Sequence, residues 1–316
     1  VGMFSFCFYN QESKKLVVAR DRFGEKPLFY RLSESGFSFS SEIKPIRLLY
    51  PKCSIERDSV GSFLMKGYLN GNSTIYSDIK KLLPGNYATY CLEKFTFKEK
   101  SYFNPNYVNT DSKLSYTSKL EILSENFIRS MDRMLLADVE VATFLSGGID
   151  SSLVTMYAAE LSKNKLRTYS IGFEDEHYNE APYASEVAKI LGTNHHEYYF
   201  TFEDFISVYH KLPYIYDEPF GDSSAIPSLI LAEKASKDVK VVLTGDGADE
   251  LFGGYSRYFS KRSKYYSLIY ALTPEFKKAS FNLYDLSLNK NSTGLMSFGF
   301  DQIRDIKING AYGQYM

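Results

Sequence analysis

Apolar and polar residues alternate in short runs through the first hundred positions: Met3 to Tyr9, Lys15 to Arg20, Leu28 to Leu32, Gly36 to Ser40 and Asn86 to Leu92. Polar turns such as Asn10-Gln11-Glu12-Ser13 and Ser33-Glu34-Ser35 separate them. Alternation puts successive side chains on opposite faces of a strand, so this part predicts antiparallel sheet, with a helical stretch near Ser59 to Leu69. After Tyr102 the chain turns polar through Asn104-Pro105-Asn106 and Asn109-Thr110-Asp111-Ser112, and 104–116 reads as a linker. The pattern then changes. A helix over Thr117 to Leu136 leads into an apolar, β-branched run, Val139 to Leu145. Strand Leu166 to Phe173, helix Glu180 to Leu191 closed by Gly192, strand His196 to Phe200, a Pro-interrupted helical region and strand Val239 to Leu243 follow. Strands alternating with helices predict a doubly wound α/β sheet, whose ligands sit at the carboxyl ends of its strands.

The run from Val139 to Leu145 passes into Ser146-Gly147-Gly148-Ile149-Asp150-Ser151-Ser152, and from Ser152 the apolar residues Leu153, Val154, Tyr157, Ala158 and Leu161 recur at helical spacing. Two glycines remove side-chain bulk and permit positive φ, which leaves backbone N–H groups free to converge on an anion. The hydroxyls of Ser146, Ser151 and Ser152 add donors beside the positive end of the helix, and a polyphosphate fits such a turn. Asp150 would repel phosphates unless a divalent cation lay between, which points to Mg2+ and ATP. A Gly-Gly turn with a serine cap is the plainer alternative. The Walker pattern Gly-x-x-x-x-Gly-Lys-Ser/Thr does not occur.

A second constellation, Thr244-Gly245-Asp246-Gly247-Ala248-Asp249-Glu250-Leu251-Phe252-Gly253-Gly254-Tyr255, follows the strand Val239 to Leu243. Acidic residues interleaved with glycines directly after a buried strand suit a backbone-close cation or substrate site. An acidic helix N-terminus complementing the dipole is the alternative. Asp150 and Asp249 are placed to face one Mg2+ across the phosphates if the two strand ends are neighbours.

Composition narrows the class. With 316 residues there is room for two domains, and a net charge of -1 from 37 basic and 38 acidic residues gives no footprint for nucleic acid or anionic membrane. Cys7, Cys53 and Cys91 lie far apart, so neither a disulfide framework nor a zinc site is expected. No apolar run reaches membrane-spanning length and no signal-peptide pattern opens the chain, so a cytoplasmic small-molecule enzyme is expected.

The loop Ser146 to Ser152 resembles the pyrophosphate loop of the N-type ATP pyrophosphatases. With Tyr169-Ser170-Ile171-Gly172-Phe173, Asn179-Glu180-Ala181, Leu191-Gly192-Thr193-Asn194-His195-His196-Glu197, Asp217-Glu218-Pro219-Phe220 and Thr244 to Tyr255, in that order, the chain resembles the glutamine-hydrolysing asparagine synthetase family. Arg20 to Tyr30, Phe39 to Lys44 and Leu83 to Tyr87 resemble the later half of that family's class II glutaminase domain. The resemblance implies an adenine nucleotide alpha hydrolase-like, doubly wound α/β domain over 117–316, preceded by the later half of an α+β Ntn-type sandwich over 1–103. It implies ATP, aspartate and glutamine as substrates and β-aspartyl-AMP as intermediate, attacked by ammonia brought from the glutaminase through an internal tunnel. Leu145, Ser146, Gly147, Gly148, Ile149, Asp150, Ser151 and Ser152 then hold ATP and its pyrophosphate, with Ile171 near adenine and Thr244 and Gly245 on the nucleotide. Asp150 and Asp249 hold Mg2+, and Asp246 takes part in forming the intermediate. The partners so implied are small molecules, without nucleic acid or membrane, and a homodimer is left open.

Two departures from the pattern set expectations. Class II glutaminases use an amino-terminal cysteine, whereas the chain opens on Val1, and a later Arg-Val-Pro-Phe-Leu-Asp-like segment is not found. The sequence therefore reads as a fragment lacking both ends, expected to show no glutaminase and little synthetase activity. Met3, Phe4, Phe6, Phe8, Leu16 and Val18 are then expected to face water in part. The same loops serve relatives that close β-lactam rings or amidate a sugar carboxylate, and a catalytically silent binding protein is a further alternative. Adjacent His195 and His196 point to opposite faces of a strand and read as packing residues rather than metal ligands. The basic and aromatic run Lys261 to Tyr266 reads as a solvated helix face, and Arg20-Asp21 as either a glutamine contact or a structural ion pair.

Overall fold

A computed structural model describes residues 2–34, 36–104 and 114–255. Most of the expected linker and the run Lys261 to Tyr266 lie outside them. The chain gathers into two units: 2–104 with Pro213–Ser223, and 114–212 with 224–255.

The first unit runs β1 (Ser5–Asn10), β2 (Lys15–Arg20), β3 (Phe29–Ser33), β4 (Gly36–Ser40), α1 (Ile43–Leu49), α2 (Arg57–Lys66), β5 (Ile79–Lys81), β6 (Asn86–Cys91) and β7 (Thr96–Ser101). Its strands form two antiparallel sheets, in the orders β1-β2-β6-β7 and β4-β3-β5. One core cluster joins the sheets: Val18 and Ala88 from the larger, Tyr30 from the smaller, with Leu28 and Leu82, and Phe37 and Phe97 packed against them. A second cluster sets Ile43 and Ile46 of α1 against Ile79, Ile75 and Tyr76, with Phe29 beside them. The result is an α+β sandwich. Met3, Phe6 and Phe8 are about half exposed and Phe4 and Leu16 are half-buried, but Val18 is fully buried, against expectation. It lies on an inner strand of its sheet, with its side chain in the cluster that the two sheets share.

The second unit runs α3 (Tyr116–Met134), β8 (Val141–Phe144), α4 (Ile149–Leu161), β9 (Arg167–Phe173), α5 (Ala181–Leu191), β10 (Asn194–Phe200) and α6 (Phe202–Tyr209). The short α7 (Leu212–Tyr216) leads out of it, and α8 (Ala225–Ala235), β11 (Val241–Leu243) and α9 (Ala248–Phe252) complete it. Local signals set these elements: Ser115 accepts from the Ser118 N–H at the start of α3, Thr201 and Asp204 form a capping box on α6, and Gly192 ends α5 at φ 66°.

All four strands are parallel, in the order β10-β9-β8-β11. The chain winds outward from β8 through β9 to β10, then returns to the far side of β8 with β11. The winding thus reverses between β8 and β11, the point where open parallel sheets bind ligands. Alternate residues of each strand serve opposite layers. Ala142 and Tyr169 pack with Leu231 and Ala235 of α8, whereas Leu145 packs on Ala184 and Ala188 of α5, and Thr143 Oγ1 meets Thr155 Oγ1 of α4 at 3.0 Å. Helices on both faces make the sheet doubly wound.

Candidate active site

The turn that follows β8 is shaped from within. Gly147 sits at φ 85°, and a Cβ there would come within 2.6 Å of both the Ala184 nitrogen and Tyr183 Cβ. The turn is therefore wedged against the first residues of α5, and only glycine suits it. Gly148 is the N-cap, so Ile149, Asp150 and Ser151 form the first turn of α4, three residues earlier than the apolar spacing suggested. A helix leaves its first N–H groups without intrahelical partners, and these groups line the turn.

The hydroxyls divide their work. Ser151 Oγ is buried, accepts from the Ser146 N–H at 3.2 Å, donates to the Gly148 carbonyl at 3.3 Å and lies 2.9 Å from Ser146 Oγ. Ser146 Oγ also accepts from the Gly148 N–H at 3.3 Å. These two serines hold the loop's shape. Ser152 Oγ is different: it is buried and has no hydrogen-bond partner, the state of a donor awaiting an acceptor.

Beyond β11, Thr244 Oγ1 donates to Asp246 Oδ2 at 2.8 Å and accepts the Asp246 N–H at 3.3 Å, which ties this carboxylate to the strand end. Gly247, at φ 91°, then starts α9, with Asp249 and Glu250 in its first turn. Gly245 brings the two loops together. A Cβ on it would lie 2.9 Å from the Ser151 nitrogen and 3.2 Å from Asp150 Cβ, so the turn after β11 rests on the first turn of α4. Parallel register had already set β8 beside β11, Thr143 opposite Leu243.

Two sequence motifs that lie almost a hundred positions apart thus meet at one sheet edge. Residues 123–295 match the asparagine synthase family. The chain belongs to that family. Residues 1–103 match the glutamine amidotransferase domain. A Methanocaldococcus jannaschii protein provisionally named glutamine-hydrolysing asparagine synthetase 2 is 36% identical over 264 residues, covering 82% of this chain and 50% of the relative. Glutamine-hydrolysing asparagine synthetase 1 of Bacillus subtilis is 34% identical over 260 residues, covering 81% of this chain and 40% of the relative. The chain spans about half the length, or less, of these curated relatives.

Other residues singled out in this asparagine synthase family chain fall in distinct places. Leu145 is 1% exposed and spends its side chain on α5, so only its backbone is left to face a ligand. Ile171 is half-buried against the cluster that holds Ala142, Tyr169 and Leu231. His195 Nδ1 lies 2.8 Å from Thr168 Oγ1 and Nε2 3.1 Å from Ser170 Oγ, while the His196 ring stacks on Tyr169 at 5.0 Å. Asn179 Oδ1 accepts the N–H groups of Phe173 and Ala181 and joins β9 to α5, a role that only its place in a family motif hinted at. Asp21 is 1% exposed and accepts from the N–H groups of Phe4, Phe23, Glu25 and Lys26. Arg20 donates to the carbonyls of Lys26, Leu82 and Gly24. These two side chains organise the backbone around Gly24, which neither expectation for them had included.

Among the described residues no three acidic, histidine or cysteine side chains converge on one point. A divalent ion here would be held by one or two carboxylates and would take its other oxygens from phosphates and water, as Mg2+ does in phosphate-transfer sites. Asp150, half-buried in the first turn of α4, and Asp249, in the first turn of α9, have the right chemistry. The glycine-built turn and the unpartnered Ser152 hydroxyl fit a polyphosphate.

Proposed function

We propose that the protein is an ATP-dependent carbon–nitrogen ligase of the asparagine synthetase type, which uses ATP, aspartate and glutamine-derived ammonia to make asparagine, AMP and pyrophosphate. The observation that carries this reading is the seating of Gly245 on Ser151 and Asp150, because it puts the anion-binding turn and the acidic turn at one point. The first-turn N–H groups of α4 and the Ser152 hydroxyl hold the β- and γ-phosphates. An aspartate carboxylate oxygen attacks the α-phosphorus, the bond to the bridging oxygen breaks, and the charge that develops on pyrophosphate falls among donors already aimed at it. Mg2+, when bound by Asp150 and Asp249, neutralises part of that charge. Asp246, tied down by Thr244, lies beside the reacting carboxylate. Ammonia then attacks the acyl carbon and expels AMP.

The reading is supported by membership of the family and by relatives whose names carry this activity. It is tested by aspartate-dependent ATP–pyrophosphate exchange, with glutamate and other carboxylates as controls, alongside hydrogen exchange with and without ATP and Mg2+. Nucleotide should protect the amides of 146–152 and 244–249, and exchange should need aspartate. Protection without exchange for any carboxylate would leave a nucleotide-binding protein, and protection elsewhere would overturn the site.

A further inference from the structure

Asp217-Glu218-Pro219-Phe220 stands in sequence between α6 and α8, yet Pro213–Ser223 belongs to the first unit. The Asp217 carboxylate, 6% exposed, accepts the N–H groups of Ile43 at 2.8 Å and Lys44 at 3.4 Å and pairs with Lys44 Nζ at 2.9 Å. The Glu218 carboxylate, 13% exposed, pairs with Lys81 Nζ at 2.5 Å and accepts the Ile75 N–H at 3.2 Å. Lys44 Nζ also donates to the Tyr214 carbonyl at 2.7 Å. Tyr216 and Phe220 stack at 4.3 Å and fold the segment on itself. The Gly221 N–H reaches the Gly67 carbonyl at 3.1 Å, where a Cβ on Gly221 would come within 2.6 Å of that oxygen.

A carboxylate taken out of water stays charged only where its partners replace the water. The named partners of both carboxylates are all in the first unit. Asp217 also sits at φ 62°, a backbone that a non-glycine residue keeps only when its surroundings hold it there. The chain on either side, Leu212 and Ser224, belongs to the second unit, and Ser224 directly precedes α8. Leu231 and Ala235 of α8 pack on Ala142 and Tyr169, in the strands that lead to the loops described above.

We infer that Asp217 and Glu218 are positioning residues: their carboxylates lock Pro213–Ser223 into the first unit and so hold the chain that enters α8, whose last turns carry Leu231 and Ala235 onto Ala142 and Tyr169. The functional half of this rests on the proposed ligase activity, and the lock itself does not.

The test uses the 316-residue protein. Asn tolerates a left-handed backbone as well as Asp does, so Asp217→Asn removes the charge alone. Hydrogen exchange at Ile43 and Lys44 should rise at least tenfold in Asp217→Asn, and at Ile75 in Glu218→Gln, with the first turn of α8 rising severalfold in both. Pairing Lys81→Glu with Glu218→Lys should restore the α8 protection that Glu218→Gln loses. Aspartate-dependent ATP–pyrophosphate exchange should fall severalfold in kcat, with the KM for ATP little changed. Absence of that exchange in the unaltered protein would sink the ligase reading while hydrogen exchange still decided the lock. Unchanged α8 protection when Ile43, Lys44 or Ile75 opens would overturn the inference, and so would failure of the charge swap. Should Asp217→Asn not fold, Glu218→Gln and the swap decide alone.

Discussion

At Gly245 the space for a side chain is filled by the backbone of another element, and this makes the residue a sharp probe of the site. Gly245→Ala must push against the Ser151 nitrogen, so it should displace the first turn of α4 at a cost of about 1–3 kcal/mol. ATP affinity should fall about tenfold or more, read by equilibrium dialysis, while the far-UV spectrum stays native. The acidic residues separate by readout. On the proposed function, Asp150→Asn should abolish aspartate-dependent ATP–pyrophosphate exchange, because losing a carboxylate that would bridge to Mg2+ would cost several kcal/mol at the transition state. Exchange within tenfold of the parent would remove Asp150 from the metal site. Asp246→Ala should keep ATP binding and lose exchange, since Thr244 and the turn remain without the carboxylate. Collapse of ATP affinity would instead assign it to the nucleotide. The shape of the loop was legible where backbone and residue type coincide, as at Gly147, whose positive φ and close neighbours leave no room for a side chain. It was not legible for Ser151, whose hydroxyl closes the loop upon itself, because a sequence does not say which way a hydroxyl turns.

Element by element, what could be read was what carries its own periodicity. β2 and β4 fall on the expected residues, and β9 and α5 within one. β7 went unseen because Thr-Phe-Lys-Glu-Lys-Ser holds a single apolar residue and is a strand only by virtue of pairing with β6. α4 starts earlier than its apolar stripe, since its first turn holds an exposed Ile149 and the polar Asp150 and Ser151, which no apolar periodicity marks. β10 starts at Asn194 and so takes in His195, whose ring is held by hydroxyls on the neighbouring β9. Burial lowers the His195 pKa below its ordinary 6.5, against a smaller upward pull from Glu197. A histidine depressed in the folded state binds fewer protons than the unfolded chain, so its contribution to stability is present above pH 6.5 and is lost as pH falls through the lowered folded value. Urea midpoints should therefore decline between neutral and mildly acidic pH, and His195→Gln should flatten that part of the decline. An unchanged slope would show that His195 is not its source.

For the molecule as a whole, the order of elements announced a doubly wound sheet, and the reversal between β8 and β11 placed both motifs at one edge. The grouping of Pro213–Ser223 with residues 2–104 carried no such signal: no local pattern says that an acidic pair will find its lysines some hundred and forty to a hundred and seventy positions away. Expressed alone, 1–104 should melt at a lower temperature than the same unit within the whole chain. A synthetic peptide of 213–223 should recover part of the loss, and a peptide with Asn and Gln in place of Asp217 and Glu218 should not. Equal recovery by both peptides would credit packing by Tyr216 and Phe220 instead of charge.

That discontinuity bears on how such a protein can be taken apart or rebuilt. A unit whose described residues come from two separate stretches of chain cannot be exchanged by a single crossover in the gene. A chimaera that joined a foreign 1–104 to the rest of this chain would pair new lysines, or none, with the resident Asp217 and Glu218. Gene shuffling between relatives should therefore recover functional hybrids mainly when positions 44 and 81 travel together with 217 and 218.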